Sequence, residues 1–122
     1  MAALLVLPSG PSAASWLQLG RSVEATVFYD KETIRKSATG VKMWTLTNFS
    51  SVEVIEGKSH RSAKTRVEYD CTGEKYRVLA TIFYELPNGT GKVTASTSLV
   101  EQWNPVAPKT MAEDLLKVAC AP

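Results

Sequence analysis

A chain of 122 residues with 44% hydrophobic and 21% charged residues is long enough for one core and too short for two, and it is not the composition of a disordered protein. Its 14 basic and 12 acidic residues leave a formal charge of +2, a near balance that argues against a dedicated nucleic-acid binder. No apolar run approaches the ~18 residues that a membrane-spanning helix needs.

The first segment, 1–15, differs from the rest. A short apolar run at 2–7 precedes a stretch of Pro, Ser, Gly and Ala, and Ser12-Ala13-Ala14 offers the small-x-small pattern that signal peptidase accepts before Ser15. The match is incomplete, since no Lys or Arg follows Met1. The segment is therefore either a signal-peptide remnant or a disordered apolar tail, and no cysteine near the N-terminus offers a lipid attachment point. The rest, 16–122, reads as a single domain.

Extended segments are expected at 16–19 and 22–29, where Val23, Ala25, Val27 and Tyr29 alternate with Ser22, Glu24, Thr26 and Phe28 at the period of a half-covered strand. Asp30 is placed to cap a single helical turn over 31–36. The β-branched and aromatic residues of 41–49 predict a central strand with both faces partly apolar. By contrast, 50–61, with Gly57 and several small polar residues, reads as a long hairpin connection.

The stretches 62–70 and 74–85 predict an antiparallel pair, the second long enough to be the spine of a sheet. Pro87-Asn88-Gly89 is a turn, because Asn-Gly tolerates positive φ, and 91–99 returns as the final strand. Pro105 and Pro108 each remove a backbone donor, so 103–108 is expected to be irregular. Thr110 and Glu113 form a capping box opening a helix whose stripe is Met111, Leu115, Val118 and Ala119, widened by Ala112, Leu116 and Cys120. The expected fold is thus α+β: an antiparallel meander of five or six strands with a C-terminal helix packed on one face.

Chemistry is sparse. The two cysteines, Cys71 and Cys120, and the single histidine, His60, lack the close spacing of zinc ligands, and no motif implies a metal or cofactor. Cys71 and Cys120 are either a disulfide or two buried thiols; the apparent export signal favours the bond, which would close a loop worth on the order of 4 kcal/mol. His60, beside Ser59, Arg61 and Ser62, is expected to be a solvated side chain in the connection, and Glu113 with Asp114 is explained by the helix start. Asn48-Phe49-Ser50 and Asn88-Gly89-Thr90 match the glycosylation pattern at a strand end and in a turn, and are assigned no role. The most suggestive feature is basic. Lys58, Arg61, Lys64 and Arg66 supply four positive charges with no acid from 58 to 67, an expected basic edge for acidic partners. The alternative to a binding role is a solvated strand face.

The ordered set Val27-Phe28-Tyr29-Asp30, Thr33-Ile34-Arg35, Val41-Lys42-Met43-Trp44, Glu68-Tyr69-Asp70-Cys71, Gly89 and Gly91, Trp103-Asn104-Pro105-Val106 and Val118-Ala119-Cys120 resembles the surface-adhesin protein E family of small exported bacterial domains. The resemblance implies an antiparallel sheet with a packed helix, a Cys71–Cys120 disulfide, and a place in the bacterial envelope, in the periplasm or at the cell surface. It also implies host extracellular-matrix proteins such as vitronectin and laminin as partners, because the family's namesake, an outer-membrane lipoprotein, attaches to them through a basic segment just before its first cysteine. Lys58, Arg61 and Lys64 fall in the corresponding segment. The expectation is a non-catalytic envelope module that binds a matrix protein or an envelope polyanion, with no cofactor. The alternative is a small-ligand carrier with a pocket between helix and sheet, walled by Tyr76, Tyr84 and Trp103.

Overall fold

The computed structural model describes residues 15–122. Six strands run in simple sequence order, each antiparallel to the last: β1 (Leu17–Arg21), β2 (Ala25–Lys36), β3 (Val41–Ile55), β4 (Lys58–Asp70), β5 (Lys75–Leu86) and β6 (Thr90–Thr97). A seventh, β7 (Asn104–Pro105), pairs with the start of β5, and one helix, α1 (Met111–Ala119), closes the chain. The meander and the helix match the expected α+β architecture, with the short seventh strand added. Apart from Ser15, the expected signal remnant lies outside the described residues. Among the described residues no helix is long and apolar enough to cross a membrane.

Three segments differ from the reading of the sequence. The expected helical turn after Asp30 is part of β2. Asp30 does cap a turn, its Oδ1 accepting the Glu32 N–H at 3.0 Å, but that turn is a wide bulge between the pairs Asp30–Trp44 and Arg35–Lys42. Thr33 secures it, its hydroxyl donating to the Asp30 carbonyl at 2.6 Å and accepting the Trp44 N–H at 2.9 Å. The bulge carries Ile34 against the core, which an uninterrupted strand would not do.

The long connection expected at 50–61 is instead a tight hairpin. Glu56 (φ 52°) and Gly57 (φ 79°) both take positive φ, the conformation of a two-residue turn matched to strand twist, so β3 and β4 pair out to Ile55–Lys58. Finally, 103–108 is not wholly irregular. Pro105 is tolerated because β7 is a two-residue strand flanking only the start of β5, and the Val106 N–H donates to the Glu74 carbonyl at 2.9 Å.

The core lies between one sheet face and α1. Met43, Val67 and Tyr69 from β3 and β4 meet Leu116 and Ala119, with Tyr29, Ile34, Tyr76, Leu115 and Val118 packed around them. Each fully buried apolar side chain contributes about 1.5–3 kcal/mol. Thr110 caps the helix as expected, its hydroxyl accepting the Glu113 N–H at 3.2 Å; the Glu113 carboxylate reaches one residue further back, to the Lys109 N–H at 3.1 Å.

The helix is also held covalently, since Cys71 and Cys120 are bonded, with Cα atoms 5.8 Å apart. At the other end of the sheet, Asn48 and Asn88 form a reciprocal pair. The Asn48 amide donates to Asn88 Oδ1 and its oxygen accepts the Asn88 N–H, both at 2.7 Å, so the β5–β6 turn is fastened to β3. The two Asn residues that carried the glycosylation pattern therefore have a structural use.

Two outcomes follow for the bond. The unfolded protein should titrate no free thiol until reductant is added, and Cys71→Ser with Cys120→Ser should lower unfolding stability by about 4 kcal/mol in denaturant melts. Two thiols free before reduction would contradict the pairing.

Candidate partner-binding face

Register decides which side chains share the face opposite α1. Across β3, β4 and β5 the rows are Lys42–Glu68–Arg77, Trp44–Arg66–Ala80, Leu46–Lys64–Ile82 and Asn48–Ser62–Tyr84. Strand alternation sends these away from Met43, Val67 and Tyr69, so four cations and two large aromatics occupy the face the helix leaves uncovered.

The single acid in these rows is fully engaged. Glu68, 1% exposed, takes Ser37 and Thr39 hydroxyls on Oε2, each at 2.6 Å, and Arg77 on Oε1, with Nε at 2.9 Å and Nη2 at 2.8 Å. Burial pushes its carboxyl up, but the hydroxyl bonds and the Arg77 guanidinium outweigh that and hold it below the usual carboxylate range. Arg77 in turn stacks on Trp103, 4.4 Å from the ring centroid, which draws the chain after β6 against the sheet.

Lys64 and Arg66 have no carboxylate partner; among the described residues the ion pairs are Arg77–Glu68 and Lys117–Glu113. The Lys64 ammonium lies 5.2 Å from the Tyr84 ring centroid. Its stem runs beneath Gly89, where a Cβ would stand 2.5 Å from Lys64 Cε and φ is +66°. Gly89 also donates its N–H to Ser62 Oγ at 2.8 Å, and that hydroxyl donates to the Leu86 carbonyl at 2.6 Å.

Two hollows flank the Trp44–Arg66 row. One, of about 490 Å³, is lined by Lys42, Arg66, Arg77, Leu79 and Ser98 among others. The second, of about 290 Å³, lies among Trp16, Trp44, Lys64, Ile82 and Tyr84, with Asp30 and Thr33 at its floor.

The basic residues singled out from the sequence are not on one edge, because β4 is an interior strand. Lys64 and Arg66 share the uncovered face. Lys58 stands exposed near the hairpin turn, beside Glu85 and Lys92. Arg61 is half-buried, its Nε enclosed without a hydrogen-bond partner.

His60 is not solvated. Its ring is wholly buried, 4.7 Å from the Phe83 ring centroid, with Nδ1 2.5 Å from Thr94 Oγ1. Because β4 begins at Lys58, His60 sits inside a strand whose start leans across β5 to β6. The three aromatics proposed as walls of a pocket beneath the helix are dispersed. Tyr76 packs in the core, Tyr84 belongs to the opposite face, and Trp103 lies under Arg77. Lys42, Trp44 and Arg77 belong to the cationic and aromatic face and were not picked out from the sequence, because only the cross-strand register brings them beside Arg66 and Glu68.

A meandering sheet with one face closed by a disulfide-bonded helix and the other left open, basic and aromatic, defines a small surface-presenting module. The sequence model for "Surface-adhesin protein E" matches residues 16–121, and the chain belongs to that family. Crystal structures of Haemophilus influenzae protein E are similar in fold. One crystal form gives a TM-score of 0.72 at 17% identity, covering 98% of this chain and 97% of the other. A second structure of that protein gives 0.69 at 18% identity, covering 95% and 91%, and protein E from a non-typeable strain gives 0.66 at 18%, covering 92% and 79%. No curated protein sequence matches the chain.

The Glu68 network sets an acid response. A carboxyl held low in the folded protein contributes stability that is complete above the unfolded value near 4.5 and is lost as pH falls through the folded value. Glu68→Gln should therefore cost about 2 kcal/mol near neutral pH and less at an acidic pH below the unfolded value. Urea melts at the two pH values measure this; equal losses at both would show that Glu68 does not carry the response.

Proposed function

We propose that the chain is an exported bacterial envelope protein that works as a non-catalytic adhesin-like module, gripping acidic partners through Lys58, Arg61, Lys64 and Arg66. The partner class is a host extracellular-matrix protein or an envelope polyanion. The observation that carries the reading is the pair Lys64 and Arg66, cations that have no carboxylate partner among the described residues, on the sheet face that the helix leaves open. Charge without a local counterion is free to meet a partner's acids and steers their approach.

Membership of the surface-adhesin protein E family supports adhesion as the activity and the cell surface as its place. The Cys71–Cys120 bond supports export, since such bonds persist in oxidising compartments. A catalytic role finds no support in His60, whose ring is buried against Phe83 and Thr94 rather than presented to a substrate.

The test compares the protein with a variant carrying alanine at the four basic positions, for binding to immobilised vitronectin, laminin and anionic envelope polysaccharide. The variant should bind at least about tenfold more weakly, and wild-type binding should fall as salt rises from about 50 to 200 mM. Equal, salt-insensitive binding by both proteins would remove these residues from the account.

A further inference from the structure

The hollow at Trp44 differs in chemistry from the cations around it. Its walls are Trp16, Trp44, Ile82 and Tyr84, and its polar floor is already occupied. Asp30, 4% exposed, accepts the Ser15 N–H on Oδ2 at 3.2 Å and the Glu32 N–H on Oδ1. The Thr33 hydroxyl both donates to the Asp30 carbonyl and accepts from the Trp44 amide.

The Asp30 and Thr33 oxygens each already accept a backbone N–H, so the broadest surface the hollow offers a new occupant is that of its aromatic rings and Ile82. An apolar side chain can pack on that surface, and about 290 Å³ is room for one large side chain. The entrance is the opposite in character. Lys64 is among the residues that line the hollow, and Arg66 and then Lys42 continue along the same face toward the hollow of about 490 Å³. Successive residues on one face of a strand are about 6.6 Å apart, close to the repeat of alternate side chains in an extended peptide.

From this juxtaposition we propose that the uncovered face receives an extended acidic peptide segment of a partner protein, one apolar side chain entering the Trp16–Trp44–Ile82–Tyr84 slot while flanking carboxylates meet Lys64, Arg66 and Lys42. This rests on the reading of the chain as an acidic-partner binder and adds the anchor, the direction and the polymer class. The slot makes the contact selective, because charge pairing alone would accept any polyanion. Arg77 takes no part, being held by Glu68 and Trp103.

Synthetic peptides separate the two levels. One has a phenylalanine flanked by glutamates and aspartates, a second replaces that phenylalanine with glycine, and heparin serves as a polyanion without an apolar anchor. Binding is read by fluorescence anisotropy of labelled probes and by quenching of tryptophan emission. The phenylalanine peptide should bind about tenfold more tightly than its glycine counterpart. Trp44→Leu or Ile82→Ala should erase that difference, and Arg66→Glu should weaken both peptides.

Since Trp44→Leu risks the fold, Ile82→Ala and Tyr84→Leu serve as the second test, each checked by circular dichroism. Equal binding of both peptides to wild type, no saturable binding of the phenylalanine peptide up to millimolar concentration, or heparin bound more tightly than either peptide would each overturn the inference. If the four-alanine variant still loses matrix-protein binding, the broader reading stands without the slot. If that variant binds normally while the phenylalanine preference remains, the broader set of contacts is wrong and the slot survives.

Discussion

The disulfide between Cys71 and Cys120 decides which side of this protein is inside. A helix of nine residues is too short to hold itself in water, and its buried contact rests chiefly on Leu116 and Ala119. Joining its C-cap to the residue just past β4 forces it onto the face that carries Met43, Val67 and Tyr69. The opposite side chains of the same strands are then left facing outward. A bond that looks purely structural therefore assigns one alternation of β3, β4 and β5 to the core and the other to solvent.

On the outward side, one buried acid holds a cation in place. Glu68 neutralises Arg77, and Arg77 in turn pins Trp103, so the irregular chain after β6 is folded against the sheet rather than left loose. Lys42, Lys64 and Arg66 are not offset in that way. One acid–base pair is consumed in holding the structure and a second acid, Asp30, is buried against backbone N–H groups, so the charges left more open across β3 and β4 are the cations Lys42, Lys64 and Arg66.

Most of the architecture was legible in the sequence because it depends on local signals. The strands read at 22–29 and 74–85, the Asn88-Gly89 turn and the Thr110 cap each act over a few residues and are found in the structure, except that β2 begins only at Ala25, with Val23 exposed in the turn before it, and β5 at Lys75. What was not legible depends on partners distant in sequence. The turn at Asp30 was recognised, yet only the strand beyond it, pairing again at Arg35–Lys42, makes it a bulge rather than a helix. Glu56-Gly57 is a weaker turn signal than Asn-Gly, so the sequence understates the length of β3 and β4 and leaves His60 in a connection. The four basic residues were visible as a run, but their division between hairpin and open face is a matter of register. Lys42 and Trp44 could have been found only by pairing 41–48 against 62–69, a step that single-strand periodicity does not provide.

Gly89 has a further effect on the lysine beneath it. Lys64 passes under a residue without a side chain and ends over the Tyr84 ring, so its four-carbon stem is confined in a channel whose roof is fastened to β3 by the Asn48–Asn88 pair. A free lysine surrenders up to about 2 kcal/mol of rotamer freedom when it is immobilised at an interface. Here that ordering has occurred during folding. Lys64 therefore presents its charge as a rigid group rather than a flexible one, and the remote asparagine pair helps to hold it so.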